Sequence, residues 1–182
     1  MPLLWGFSTF FKDAQSRFEK DDYIVTPVQA ISLVSFALFS LADLRTRLVP
    51  FIEVFFGIVA LLVFPDNRLH VTIVILAVIW GTFRRIPARF MLPFLFYPPI
   101  WPALVVGFGV RKQMIGQADL FALAIVAVVF PFAAVITSIL GFELWRRWWV
   151  SRGNCGFMPA IPGLFLGLSV YSIVQIAISN FV

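Results

Sequence analysis

Residues 26–50 read TPVQAISLVSFALFSLADLRTRLVP: an apolar run over 26–43 closing on Asp43, then Arg45 and Arg47, then Pro50. A run of this length without internal charge approaches the ~20 helical residues needed to cross a hydrocarbon core. Five more runs follow, at 50–64, 70–83, 91–110, 119–144 and 157–181, separated by charge or by Pro and Gly. Those at 50–64 and 70–83 are short, but tilt, local thinning or continuation into flanking residues lets such helices cross.

Composition extends the same reading to the whole chain. Its 182 residues are 61% hydrophobic and 13% charged, with a mean hydropathy of +0.97. Soluble domains are roughly 45–50% apolar and about 25% charged. A globule of this size could not bury so much apolar surface, which excludes a soluble enzyme, a disordered tail and a secreted disulfide scaffold. The expected fold class is an all-α polytopic membrane protein with about six transmembrane or re-entrant helical segments. A single membrane-embedded domain is expected over 26–182, preceded by an interfacial amphipathic helix within 1–25. In that leading segment Leu3, Phe7, Phe10, Phe11, Ala14 and Phe18 recur at helical spacing, with Lys12, Asp13, Gln15, Ser16 and Arg17 between them. A loosely docked extension is the alternative; a signal peptide is not expected, for want of a basic n-region and a small-residue cleavage site.

Charge sets the expected path. The 14 Lys and Arg outnumber the 9 Asp and Glu, for a net charge of +5. Beyond the N-terminal segment the basic residues cluster as Arg45 and Arg47, Arg84, Arg85 and Arg89, Arg111 and Lys112, and Arg146, Arg147 and Arg152, with Arg68 apart. Loops retained in the cytoplasm are rich in Lys and Arg, so the four clusters are assigned to that side and Arg68, with Asp66 and Asn67, to the other. On this path 91–110 and 119–144 each begin and end on one side and turn back within the membrane. Proline breaks the helical hydrogen-bond ladder, and both runs carry it mid-way, at Pro98, Pro99 and Pro102 and at Pro131. The rival path has both runs crossing fully, with Arg111, Lys112 and Asp119 outside.

Cys155 is the sole cysteine, which excludes an intramolecular disulfide and a CxxC motif; it reads as a small packing residue near a helix start. His70 stands alone in an expected short loop and reads as an interfacial polar residue. No metal and no cofactor are expected.

Acids decide the chemistry. Only Asp43, Glu53, Asp66, Asp119 and Glu143 lie beyond residue 22. An ionisable side chain inside a membrane costs about 2.5–3.5 kcal/mol on insertion scales and is by default a functional candidate. Asp43 ends the first run; Asp119 heads a long one. Singly, each has a structural reading: Asp43 as the i,i+4 partner of Arg47, Asp119 as a helix cap. Together, at one membrane face, they suit an aspartic protease dyad, in which one carboxyl keeps a proton and the other draws one from water. No other catalytic set competes, since one histidine supplies neither a metal site nor a convincing serine triad.

At these residues the chain resembles the archaeal prepilin and preflagellin peptidases, members of the type IV prepilin peptidase family of GxGD-type intramembrane aspartic proteases. The likeness rests on Asp-Leu-Arg-Thr-Arg-Leu-Val-Pro at 43–50, on Gly-Gln-Ala-Asp at 116–119 with the apolar run ending in Phe130-Pro131, and on Pro159-Ala160-Ile161-Pro162. It covers about residues 28–180, with the motifs in the family's order. The resemblance implies that Asp43 and Asp119 are the catalytic pair of a multi-pass cell-membrane enzyme whose active site faces the cytoplasm. Gly116, Ala118, Arg45, Arg47 and Pro50 would support the motifs, the arginines as headgroup anchors. The substrates implied are prepilin or preflagellin precursors, cut after a short basic leader and before a hydrophobic helix, with the lipid bilayer as the other partner.

The chain departs from the family pattern in several places. Ala118 replaces the second glycine of Gly-x-Gly-Asp and removes easy access to positive φ, leaving any special turn to Gly116. Three apolar runs separate the aspartates where the family has an even number of crossings, so the dyad requires 91–110 to be re-entrant. The two helices usual after the second motif are compressed into 119–144. No cysteine-rich or methyltransferase segment is present, which excludes the bacterial bifunctional form. The alternative function is a non-enzymatic membrane scaffold or small transporter, or an inactive pilin-binding homologue, with both aspartates structural.

The other features read as packing. Gly163 and Gly167 form a small-xxx-small step for helix contact. Glu53 lies near the dyad or at a helix N-terminus. Glu143 precedes the Trp145-Arg146-Arg147-Trp148-Trp149 belt, which reads as headgroup contact and not as a nucleic-acid site.

Overall fold

A computed structural model of the chain describes residues 26–49, 51–83, 85–96, 100–112, 116–154 and 158–181. The expected interfacial segment 1–25, Pro50, Arg84, Pro98, Pro99 and Cys155 lie outside the described residues. Those described form seven α-helices and one 3₁₀ stretch, with no strand: α1 Pro27–Thr46, α2 Ile52–Val63, α3 Arg68–Thr82, the 3₁₀ stretch Ala88–Phe96, α4 Trp101–Arg111, α5 Gln117–Val129, α6 Phe132–Ser151 and α7 Ile161–Phe181.

Local chemistry sets the ends of α1. Thr26 and Gln29 close a capping box, with Gln29 N–H to Thr26 Oγ1 at 3.3 Å and Thr26 N–H to Gln29 Oε1 at 2.9 Å. Pro27 sits in the first turn, where its missing N–H costs no helical bond. The helix stops at Arg47, which takes the left-handed conformation (φ 60°) and returns its N–H to the Asp43 carbonyl at 3.1 Å.

α5 is the axis of the molecule. Leu120 through Val128 are all buried, so the helix is apolar on every side, as a fully enclosed helix must be. The other six helices pack around it. Two close approaches tighten the ring. Gly141 of α6 meets Gly163 and Gly167 of α7, where a Cβ on Gly163 would lie 2.8 Å from the Phe142 Cα. Gly81 of α3 meets Gly107 of α4 in the same manner.

The contacts define two ends. At one, Gln29 Nε2 of α1 donates to the Val129 carbonyl of α5 at 3.2 Å, and His70 of α3 reaches Ala127. At the other, the C-termini of α1, α3, α4 and α6 gather with the N-termini of α2, α5 and α7. Phe39 of α1 packs on Phe55 of α2, and Phe56 of α2 on Phe121 of α5. Arg111 of α4 bonds the Trp80 and Phe83 carbonyls at the end of α3, while Trp145 of α6 bonds the Pro159 carbonyl ahead of α7. Residues 83–111 therefore leave this end and return to it. Trp101 Nε1 donates to the Leu95 carbonyl at 2.8 Å within that excursion, and α4, about 16 Å long, runs back beside α3.

Several sequence expectations change here. Two helices, Pro27–Thr46 and Ile161–Phe181, contain windows long and apolar enough to cross a membrane, against the roughly six segments expected; α2, α3 and α5 are apolar but shorter. The run 119–144 turns back at Phe130-Pro131 as expected, through two packed helices, α5 and α6. α5 reaches the Gln29 end, the chain breaks at Phe130-Pro131, and the 20 residues of α6 return. His70, expected in a short loop as an interfacial polar residue, lies in the first turn of α3 and is 2% exposed. Residue 131 is proline and offers no N–H to the carbonyl four residues back, and His70 Nε2 supplies the missing donor to Ala127 at 2.6 Å.

Candidate active site

Asp43 occupies the last turn of α1 on its buried face, 8% exposed. Its Oδ2 accepts the Ile161 N–H at 3.2 Å, with the Ala160 amide adding a second backbone contact. These amides belong to the start of α7, where helical N–H groups have no partner of their own. Pro162 removes one such donor, and Pro159 is pinned by Trp145 Nε1 at 2.8 Å. The Pro159–Pro162 element thus presents its two remaining amides to a carboxylate 118 residues upstream. That pairing replaces the expected one with Arg47, whose guanidinium lies over the Trp149 ring, 4.9 Å from its centroid, though still within electrostatic reach of Asp43. Arg45 is exposed at the same end.

Asp119 is the third residue of α5, and its Oδ2 accepts the Gly116 N–H at 3.2 Å. This is the reverse half of a capping box, closed on the residue before the helix. Gly116 has φ −71° and ψ 151°, an extended conformation open to any residue. The expected special turn is therefore not there, and what the glycine supplies is space: a Cβ at this position would stand 3.3 Å from Asp119 Oδ2. Ala118 sits in the first turn of α5, half-buried, where no positive φ is called for.

Although 76 positions separate them, the two aspartates stand at one end of the bundle, and the Asp43 carboxylate lies within electrostatic reach of Asp119. α2 and α3 carry the chain up and back, and residues 83–111 add an excursion that returns to its starting end. Glu53 is exposed in the first turn of α2. Glu143 is engaged by Arg146 at 2.7 Å and Arg147 at 2.9 Å. Among the described residues no group of three His, Cys, Asp or Glu side chains could hold a metal ion.

Sequence reasoning singled out both aspartates and the Pro159–Pro162 element but not the bond joining Asp43 to that element. It also missed Trp145 and Trp149, which prop the Pro159 carbonyl and Arg47. The tryptophans were visible as a belt; their inward contacts have no local signature. No protein-family model matches the chain, and no curated protein or solved structure matches it.

Proposed function

We propose that this chain is a membrane-embedded aspartic endopeptidase that removes short leader peptides from type IV pilin-like or archaeal flagellin precursors. The observation that carries the reading is the convergence of Asp43 and Asp119, two of five acids beyond residue 22, at one end of the bundle. A membrane setting is supported by the inverted pattern of α1. Its buried positions are Ser32, Phe36, Ser40 and Asp43, and its exposed ones include Ile31, Val34, Leu38 and Leu41. Water would favour the reverse; lipid accepts apolar side chains outward and small or polar ones at helix contacts. The basic residues at the Asp43 end orient that end to the cytoplasm. The resemblance to the prepilin and preflagellin peptidases names the substrate class.

In the proposed reaction one carboxyl of the pair is ionised and the other protonated, because two adjacent negative charges oppose each other. The ionised group takes a proton from water as the oxygen attacks the scissile carbonyl. The protonated group donates a hydrogen bond to that carbonyl, and the peptide nitrogen leaves with a proton from the dyad.

The second reading, a non-enzymatic scaffold or an inactive pilin-binding homologue, is favoured by the 3.2 Å backbone bonds that both aspartates already accept. Asparagine separates the two, since its side-chain oxygen still accepts an N–H and serves as a cap but cannot exchange a proton. Co-expression of a tagged prepilin with Asp43→Asn and with Asp119→Asn is the test. Uncut precursor in both supports the peptidase, and normal processing in either rejects it.

A further inference from the structure

The C-terminal turns of α1 and α6 meet beside Asp43 in a cluster of arginines and tryptophans that the dyad does not use. Trp145, Trp148, Trp149 and Arg152 follow one another at i, i+3, i+4 and i+7 and so share one face of α6. The Trp145 ring lies 4.8 Å from that of Trp148 and 6.3 Å from that of Trp149, centroid to centroid. Two guanidiniums lie over the outer rings. Arg47, from the end of α1, stands 4.9 Å from the Trp149 centroid, and Arg152 stands 5.4 Å from the Trp148 centroid.

Stacking on a ring fixes the plane of a guanidinium and leaves the N–H groups on its edge free to donate. Neither Arg47 nor Arg152 makes a side-chain hydrogen bond or an ion pair among the described residues; the ion pairs of this region are those of Arg146 and Arg147 with Glu143. Glu143 is thereby taken, and Arg45, Arg47 and Arg152 stand exposed. Asp43 is within electrostatic reach of Arg47, but its carboxyl is bonded to the backbone of α7. Trp148 is 45% exposed, and Leu144, one turn before it, and Leu48, next to Arg47, are 63% and 70% exposed. The cluster therefore offers cations and free donors at its edge with apolar surface around them.

We infer that this cluster binds anionic phospholipid headgroups, with phosphate at the free edges of Arg47 and Arg152 and the acyl chains against Trp148, Leu144 and Leu48. Guanidinium edges match phosphate oxygens, and tryptophan favours the headgroup level of a bilayer. The exposed apolar side chains select an anion that carries hydrocarbon, since free phosphate would leave them wet. Such a headgroup does more than anchor the chain, because the cluster holds both sides of the buried bond to Asp43. Arg47 lies four residues past Asp43 and ends α1, while Trp145 Nε1 holds the Pro159 carbonyl, two residues before Ile161, at 2.8 Å. Bound phosphate ties the end of α1 to α6 and so steadies the Ile161 N–H on Asp43 Oδ2. The inference rests on the membrane reading for the source of the ligand and is independent of the peptidase reading.

Hydrogen exchange of the purified full chain in neutral detergent, read at the Ala160 and Ile161 amides, tests it. Phosphatidylglycerol, phosphatidylcholine, inorganic phosphate and a single-stranded oligonucleotide are separate additions. Phosphatidylglycerol is expected to slow exchange there at least about threefold, and the other three to leave it unchanged. Arg47→Gln should lose the slowing. Arg152→Gln, which leaves every neighbour of Asp43 in place, should lose at least about half of it, and it decides the matter if Arg47→Gln does not fold. Arg85→Gln, exposed at the same end but outside the cluster, should keep the full response. Full slowing in either cluster variant would overturn the inference. So would an equal loss in Arg85→Gln, or slowing reproduced by phosphatidylcholine, inorganic phosphate or the oligonucleotide. No substrate enters this measurement, so failure of the peptidase reading shows only in the prepilin assay. Failure of the membrane reading shows as a chain that stays dissolved without detergent.

Discussion

The two ends of α5 are both tied down by side chains from distant helices, but the donors and acceptors are reversed. At the Pro131 end, His70 and Gln29 donate to the Ala127 and Val129 carbonyls that the break leaves without helical partners. Each of those bonds joins a neutral donor to a carbonyl that needs one, and the polar accounting closes. At the Asp119 end the side chains are carboxyl groups. Each accepts a backbone N–H at 3.2 Å through one oxygen, and a carboxylate has about four acceptor positions. One end carries what a helix break requires; the other carries two acids within reach of each other where one neutral cap apiece would have held the helices.

That contrast is open to being broken. The largest effect is expected at the acids. Asp43→Asn and Asp119→Asn should each lower prepilin processing by at least about 100-fold, in line with loss of a general acid or base. Both should stay folded, judged by an unfolding transition close to the unaltered chain's. At the opposite end His70→Ala should lower stability by about 1–3 kcal/mol through the stranded Ala127 carbonyl. Thermal unfolding reads this, and the molecules that remain folded should process normally. Gly116→Ala is smaller still. Its methyl group presses on Asp119 Oδ2, so processing should fall several-fold while stability changes by less than about 1 kcal/mol, measured on one preparation. Arg45→Gln, at an exposed position, should shift stability by no more than about 0.5 kcal/mol. If His70→Ala stopped processing, or Asp119→Asn unfolded the chain, the two ends would not differ as described.

Much of this arrangement was legible locally. The apolar run from residue 26 marks α1, Pro131 marks the break, and the scarcity of acids singles out Asp43 and Asp119. The extents of α2 and α3 were legible as well, since the apolar runs at 50–64 and 70–83 match Ile52–Val63 and Arg68–Thr82 within two residues at each end. The partners of His70 and Asp43 were hidden. They lie 57 and 118 positions away, and each is a main-chain group left without a helical partner, the Ala127 carbonyl by Pro131 and the Ile161 N–H by the start of α7. Proline was read as a place where a helix stops, and the further consequence, that a side chain elsewhere must serve the main chain there, depends on packing that no short motif encodes. Gly116 shows the same limit: its dihedrals are ordinary, and its value is the space it leaves for a carboxylate.

The central claim is that the excursion 83–111 returns to its starting end, so that both aspartates share one end of the bundle and, on the proposed membrane reading, one face of the membrane. Single cysteines at positions 45, 67 and 117 in a Cys155→Ser background, probed with a membrane-impermeant maleimide, test it most directly. The account predicts that 45 and 117 are labelled in inverted vesicles and protected in intact cells, with 67 showing the opposite pattern. Labelling of 45 and 117 from opposite faces would contradict it.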